Sequence, residues 1–257
     1  MREDYINGVC RAHMVSSPFM KNEKGRFFMS EKALQTNKIK QLTAVAMFAA
    51  LAYAVHFIHI PVGFLNLDFK DFVMTICGMY FGPISGLAIA VLVPVIETIT
   101  VGGTGIYGLI MNVISSVTFV GIASVIYRFK KTLSGAVVGL FAAVFAMTAV
   151  MMLANLFITP YYMGVDRSEI VSLIPTLLLP FNAIKAVINA SFTLCAYKPL
   201  TKILKLTGFG KCNSDEQAES RGTNRKHTVL VWTIGGTVAL AALLVIFLVL
   251  GGRLAFN

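Results

Sequence analysis

Residues 72–101 read FVMTICGMYFGPISGLAIAVLVPVIETITV, a run of 30 residues whose only charged side chain is Glu97. A helix of that length would extend about 45 Å, whereas roughly 20 residues suffice to cross a membrane. Gly82-Pro83 divides the run, because proline disfavours helix in the residue before it and readily begins the next helix. This stretch therefore predicts two membrane helices, at 70–82 and 83–101.

The rest of the chain has the same character. Of its 257 residues, 56% are hydrophobic and only 13% are charged, whereas about a quarter of the residues in a soluble domain are charged. This composition excludes an ordinary soluble enzyme and a disordered protein. Further apolar runs predict spans at 41–60, 106–128, 133–160 and 173–200. We therefore predict an all-α polytopic membrane protein with a six-helix bundle in residues 38–205.

The net charge of +10 is unevenly distributed along the chain. Eight basic residues lie in 1–40, three in 128–131 and seven in 198–227. Clusters of Lys and Arg in alternate connecting segments are typical of the cytoplasmic side of membrane proteins. Counting 70–82 as a crossing places all three clusters on that side. The charge therefore predicts a cytoplasmic N-terminus, and it does not indicate a nucleic-acid partner.

Three segments flank the predicted bundle. Residues 1–37 are a polar tail, which we place in the cytoplasm. Residues 206–228 are rich in Gly, Ser, Asn and charge, which predicts a polar linker. Residues 229–250 are apolar and predict one extra C-terminal transmembrane helix, so that 229–257 comprises this helix and a short external tail.

Polar side chains inside the spans are candidate site residues, since such groups are costly in a bilayer. Glu97 and Lys185 are the ionisable ones, and Asn112, Asn155 and Asn182 lie at a similar predicted depth. Asn182, Lys185 and Asn189 have the spacing of one helix face. One interpretation is a set of interhelical contacts, with Glu97 paired with Lys185. A ligand pocket in the outer half of the bundle is the favoured interpretation.

Two further patterns concern the first helix and the loop after it. Residues 64–72 alternate apolar and polar side chains and form either an interfacial loop or a lid over the pocket. Ala46, Ala50 and Ala54 form a ridge of small residues on the first helix. Such a ridge allows close helix approach, either within the bundle or to another membrane protein.

Motifs for catalysis are absent from the sequence. It contains no phosphate-binding loop of the Gly-x-x-x-x-Gly-Lys-Ser/Thr type, no Gly-x-Ser-x-Gly and no His-Glu-x-x-His. We therefore predict no catalytic residue, no metal and no cofactor. An intramembrane enzyme that uses Glu97 as a base remains the minority alternative.

Residues 38–205 resemble the substrate-binding S component of energy-coupling factor (ECF) vitamin transporters, most closely its riboflavin-specific branch. The resemblance rests on FLNLDFKDF at 64–72, GMYFGPISG at 78–86, Glu97, the segment from Gly105 to Asn112, LAN at 153–155 before Pro160, and PFNAIKAVIN at 180–189.

The resemblance implies six helices with a vitamin pocket that opens to the outside and is capped by the first loop. It also implies that the alanine ridge docks a transmembrane coupling subunit, which two ATPase subunits drive. Asn155, Asn182 and Lys185 would be polar ligand contacts, and Leu67 would cover the ligand ring. Asn112 and Glu97 are further candidates for ligand binding.

The predicted function is capture of riboflavin, or of its phosphate FMN, at the extracellular face for an ATP-driven importer. The protein would be a multi-pass component of a prokaryotic plasma membrane, surrounded by the lipid bilayer. Three alternatives remain open at this point: the same fold with another vitamin or precursor, a membrane enzyme acting on lipid-borne substrates, and a stand-alone channel or facilitator.

Overall fold

A computed structural model describes residues 26–62, 65–101 and 105–206 of the chain. The predicted seventh helix and nearly all of the predicted linker lie outside the described residues, as do residues 1–25 of the predicted tail. Those assignments stay predictions.

The described chain is helical apart from one hairpin. Helix α1 spans Arg26–His56, and the strands β1 (His59–Val62) and β2 (Leu65–Asp68) follow it. The remaining elements are α2 (Lys70–Phe81), α3 (Pro83–Thr100), α4 (Gly105–Phe129), α5 (Leu133–Met163), α6 (Arg167–Leu173), a π-helical turn (Ile174–Leu178) and α7 (Leu179–Leu206).

Five helical stretches in the described residues are long and apolar enough to cross a membrane: Lys38–His56, α3, α4, α5 and the run Arg167–Tyr197. In the most apolar 18-residue stretch of each helix, only 22–39% is buried inside the protein. Most of the apolar surface of these helices is therefore left for lipid. This confirms the prediction of a polytopic helical membrane protein. Helix α2 has 12 residues, about 18 Å, and its assignment as a crossing stays a prediction.

Helix α2 lies at the centre of the bundle, where it contacts α1, α3, α4 and α7. Nine of its 12 residues are buried, so most of this short helix is enclosed by protein. One apolar cluster joins it to α1 and α3, with Phe48, Val73 and Val93 among its members. A second cluster, around Phe119, Leu140 and Met147, joins α4, α5 and α7.

The break predicted at Gly82-Pro83 is confirmed. Gly82 has φ +106°, a value that residues with a Cβ rarely adopt, and Pro83 is the first residue of α3. The turn brings α2 and α3 into backbone contact, because a Cβ built on Gly86 would lie 2.6 Å from the Cα of Gly78. Two glycines facing each other therefore set the distance between these helices.

The predicted position of the outer end of the first span, residue 60, is wrong. Helix α1 ends at His56 rather than continuing to residue 60, and β1 pairs antiparallel with β2 in the register His59↔Asp68 and Val62↔Leu65. On β2, Leu67 is fully buried and packs with Phe181 and Ile188 of α7. The hairpin therefore lies on α7 as part of the folded core rather than as a free loop.

The last predicted span begins within a continuous helical run that contains a π-helical turn. Pro180 has no backbone N–H to donate to the carbonyl of Thr176, and its ring would clash with that carbonyl in a regular helix. The wider turn Ile174–Leu178, with the N–H of Leu179 donating to the carbonyl of Ile174, relieves this conflict. It sets the rotation of the helix just before Asn182.

Gly86→Ala is expected to destabilise the protein by about 1–3 kcal/mol, because the added methyl group meets backbone atoms that cannot move independently. Thermal unfolding of the detergent-purified protein measures this. Gly121→Ala is the matched control, since a Cβ there would meet only the end of the Leu87 side chain, at 3.2 Å. Equal melting temperatures for Gly86→Ala and the wild type would contradict the close approach of α2 and α3.

Candidate functional site

A cleft opens between the hairpin and three helices. Its walls come from β2, α4, α5 and α7, and its lining residues are Leu65, Asn66, Tyr107, Gly108, Met111, Asn112, Ser115, Met151, Asn155, Ile158, Thr159, Tyr162, Phe181, Asn182 and Lys185. The cleft has a volume of about 100 Å³, several times the ~10–15 Å³ that a single water molecule needs. It is therefore a real hollow, enclosed by apolar and aromatic groups with a few polar ones.

Four of the six predicted ligand contacts line this cleft together: Asn112, Asn155, Asn182 and Lys185. They come from three helices, α4, α5 and α7, as a shared pocket requires. That they contact a ligand stays a prediction. The other two predicted contacts lie elsewhere: Leu67 is buried beneath the hairpin, and Glu97 lies behind Asn112. The hairpin residues that line the cleft are Leu65 and Asn66.

The two buried asparagines are partly satisfied by their own helices. Asn155 donates one N–H to the carbonyl of Met151 at 2.7 Å and accepts from the Thr159 hydroxyl at 2.9 Å. Asn182 donates to the carbonyl of Leu178 at 2.8 Å, which is the last residue of the π-helical turn. Each amide therefore keeps one N–H, and Asn182 also keeps its carbonyl oxygen, for a ligand.

Aromatic and thioether side chains provide the apolar walls. Tyr107 and Tyr162 meet edge to face with their ring centroids 6.5 Å apart. Phe181, Met111 and Met151 add further apolar surface. A cleft with flat apolar walls and a few fixed donors and acceptors suits a planar ligand that has polar groups at one edge.

A network of buried charged side chains adjoins the cleft. Lys70, which is fully buried, donates to Oε2 of Glu97 and lies 3.3 Å from Oδ2 of Asp68. The other oxygen of Glu97 lies 3.1 Å from Nδ1 of His56 and accepts from Nδ2 of Asn112 at 3.3 Å. The network therefore runs from α1 through α3 and α2 to the hairpin.

Asp68 connects this network to the cleft. Its Oδ1 lies 3.1 Å from Nζ of Lys185. Burial by itself would raise the pKa of Asp68, but the ammonium groups of Lys185 and Lys70 outweigh burial and lower this pKa to about 2. Asp68 is therefore ionised throughout the physiological pH range, and Lys185 enters the cleft with a carboxylate at its side.

The side chain of Asn189 fixes the end of the hairpin to α7. Its Nδ2 donates to the backbone carbonyls of Asp68 and Lys185, and its Oδ1 accepts from the N–H of Phe72, all at 3.0–3.1 Å. As predicted from spacing, Asn182, Lys185 and Asn189 lie on one inward face of the last helix. Asn189, however, binds the backbone of this chain rather than lining the cleft.

One interpretation about charge is corrected, and three charged side chains of the segment 64–72 are buried. Asp68, Lys70 and Asp71 are each at most 2% exposed. Glu97 does not pair with Lys185, because Lys70 and Asp68 lie between them as partners. The sequence does contain a signal for this network. Asp68, Lys70 and Asp71 lie together beside the predicted spans that carry Glu97 and Lys185, which indicates that these charges pair with one another. Sequence spacing alone could not choose among the possible pairs.

Other candidate residues are placed as follows. Ala46, Ala50 and Ala54 are exposed on α1, so among the described residues this ridge does not pack inside its own bundle. Its docking of a partner stays a prediction. Within the described residues, no group of three or more His, Cys, Asp and Glu side chains is arranged to hold a metal ion.

Comparison with known proteins gives the class of protein. A family model described as "ECF transporter, substrate-specific component" matches residues 40–197. The chain belongs to this family, and it is therefore a component of a membrane transporter rather than an enzyme. The family predicted from sequence is thus confirmed.

Individual relatives agree with this assignment. The chain is 27% identical to the riboflavin transporter RibU of Staphylococcus aureus (strain TCH60), over 68% of this chain and 97% of the relative. It is 26% identical to the riboflavin transporter FmnP of Bacillus subtilis (strain 168), over 59% of this chain and 86% of the relative. A solved structure described as the S component of a bacterial ECF transporter superposes with a TM-score of 0.58 at 28% identity, covering 65% of this chain and 99% of that one.

Lys70→Met is expected to destabilise the protein by about 3–5 kcal/mol, because it leaves Glu97 and Asp68 buried without their shared cation. Lys40→Met is the control, since Lys40 is exposed on α1. The free energy of unfolding in detergent, measured with denaturant, tests the difference. If Lys70→Met lowers the free energy of unfolding no more than Lys40→Met does, Lys70 is not paired inside the protein.

Proposed function

We propose that this protein captures riboflavin at the outer face of the membrane, as the substrate-specific component of an ATP-driven importer. The observation that carries the proposal is the convergence of Asn112, Asn155, Asn182 and Lys185 on one apolar cleft. The two relatives named riboflavin transporters support the choice of substrate.

The chemistry of the cleft suits a flavin. Its ring system is flat and largely apolar, and its pyrimidine edge carries two carbonyl groups and one N–H. Lys185 and the free N–H groups of Asn155 and Asn182 can donate to the carbonyls, and the free oxygen of Asn182 can accept from the ring N–H. The side chains of Tyr107, Tyr162 and Phe181 can pack on the faces of the ring.

The side of the membrane follows from the charge distribution. With the basic clusters in the cytoplasm, the hairpin and the cleft face the outside. The N-terminus is then cytoplasmic, and the protein is a multi-pass component of a prokaryotic plasma membrane. The hairpin residues Leu65 and Asn66 form the outermost wall of the cleft and would contact the bound flavin.

The partner surface is the exposed face of α1. Ala46, Ala50 and Ala54 lie on it beside large exposed apolar residues such as Met47 and Leu51. A ridge of small side chains lets a second helix approach closely within the membrane. We assign this face to a transmembrane coupling subunit, which two ATPase subunits would drive.

Riboflavin binding tests the substrate. The detergent-purified full chain is expected to quench flavin fluorescence with a dissociation constant well below micromolar and to carry a yellow flavin absorption after purification from riboflavin-supplied cells. Tight binding of a different vitamin without riboflavin binding would contradict the substrate and leave the family intact.

Lys185→Ala and Asn182→Ala are each expected to weaken riboflavin binding by roughly 1–3 kcal/mol, because each removes a buried hydrogen bond to the ligand. Fluorescence titration measures the dissociation constants. Ser191→Ala is the matched control on α7, since the Ser191 hydroxyl donates to the carbonyl of Val187 in its own helix. Wild-type affinity in both cleft variants would mean that the flavin binds elsewhere.

Ala50→Leu is expected to leave riboflavin binding unchanged and to abolish most riboflavin uptake, because the larger side chain blocks helix docking on α1. Titration of the purified protein and uptake by cells that contain the coupling module measure the two effects. Ala88→Leu is the control, an exposed alanine on a different helix. Uptake at the wild-type rate in Ala50→Leu would contradict the assigned partner surface.

A further inference from the structure

The carboxylate of Asp68 is shared between two lysines with different surroundings. Lys70 also has Glu97 as a partner, whereas Asp68 is the only acid within ion-pair distance of Lys185 in the described part of the chain. A carboxylate held between two ammonium groups in a low-dielectric interior moves toward the one that lacks another counter-ion. The pairing of Lys70 with Glu97 therefore leaves Asp68 available to Lys185.

We propose that Asp68, Lys70 and Glu97 are positioning residues for ligand recognition, and that they act through the ammonium group of Lys185. Glu97 retains Lys70, Lys70 holds one oxygen of Asp68, and the other oxygen of Asp68 orients Lys185 in the cleft. Neither Lys70 nor Glu97 lines the cleft, so any effect of theirs on binding has to pass through their contacts. This inference rests on the proposed function for the identity of the ligand.

The same carboxylate also positions a wall of the cleft. Asp68 is the last residue of β2, and Leu65 and Asn66 of that strand line the cleft. Asn189 holds the backbone of Asp68 to α7 beside Lys185. The orientation of Lys185 and the closure of the hairpin are therefore one coupled arrangement, and losing the pair of Asp68 with Lys185 loosens both.

A double-mutant cycle separates positioning from general stabilisation of the fold. In Glu97→Gln, Lys70 loses its second counter-ion and draws Asp68 away from Lys185. We expect riboflavin affinity to fall about tenfold, within the range of coupling between residues in one network. In a Lys185→Met background the same substitution should change affinity less than twofold, because the group through which it acts is gone.

The alternative gives a different result in this cycle. If Glu97 only stabilises the bundle, or acts on the ligand through Asn112, its substitution lowers affinity equally in both backgrounds, and the proposal is overturned. Unchanged affinity in the single variant overturns it as well. If Glu97→Gln does not fold, Asp68→Asn takes its place in the same cycle with the same expectation.

Ser116→Ala is the matched control for buried polar contacts at this depth. Its hydroxyl donates to Asp71 at 2.6 Å, and no hydrogen bond among the described residues joins it to Lys185, Asp68 or Lys70. Its effect on affinity should be equal in the wild-type and Lys185→Met backgrounds. A background-dependent effect as large as that of Glu97→Gln would show that the cycle reports general loosening, which would overturn the proposal.

A ligand-free measurement distinguishes failure of this inference from failure of the proposed function. Hydrogen exchange of the hairpin backbone at Leu65–Leu67 should accelerate about tenfold in both Asp68→Asn and Lys185→Met, but not in Ser116→Ala. Unchanged hairpin exchange in the first two variants would overturn the coupled arrangement even if riboflavin binds normally. A wild-type protein that ignores riboflavin would instead refute the proposed substrate, and the exchange data would still decide the coupling of the hairpin to Lys185.

Discussion

The burial of five charged side chains is the constraint on which the hairpin and the cleft depend: Asp68, Lys70, Asp71, Glu97 and Lys185. Moving one charged group out of water costs several kcal/mol, and only close pairing offsets that cost. Pairing of Asp68 with both lysines therefore contributes to the stability of the hairpin. Asp68 and Glu97 pair with the two lysines, whereas Asp71 accepts from the hydroxyl of Ser116. Nδ1 of His56 lies 3.1 Å from Glu97.

Close helix packing places these charges. Lys70 and Asp71 lie in the first turn of α2, and the backbone contact between Gly78 and Gly86 holds this short helix against α3, which carries Glu97. Larger side chains at the two glycines would separate α2 from α3 and lengthen the ion pair between Lys70 and Glu97. The small residues of the GMYFGPISG segment are thus linked to the electrostatics of the site through a single interhelical distance.

The proposed ligand site and the proposed partner surface occupy different elements. The cleft is made by β2, α4, α5 and α7, and the alanine ridge belongs to α1. Helix α1 nevertheless meets the buried network at His56, 3.1 Å from Glu97. The two surfaces are therefore separable by substitution, while the charged network extends from the cleft to the buried side of α1.

The amino-acid sequence by itself determined the membrane class, the helix break at Gly82-Pro83 and the inward face of the last helix, because hydropathy, proline chemistry and helical spacing are local properties. It also indicated four residues that share the cleft, since polar groups inside apolar spans are costly and few. Only the tertiary structure decided that β1 and β2 pair as a hairpin, that Lys70 rather than Lys185 pairs with Glu97, and that Asp68 lies between the two lysines. Partner choice among buried charges depends on distances of a few ångströms between separate helices, and no spacing along one chain encodes those distances.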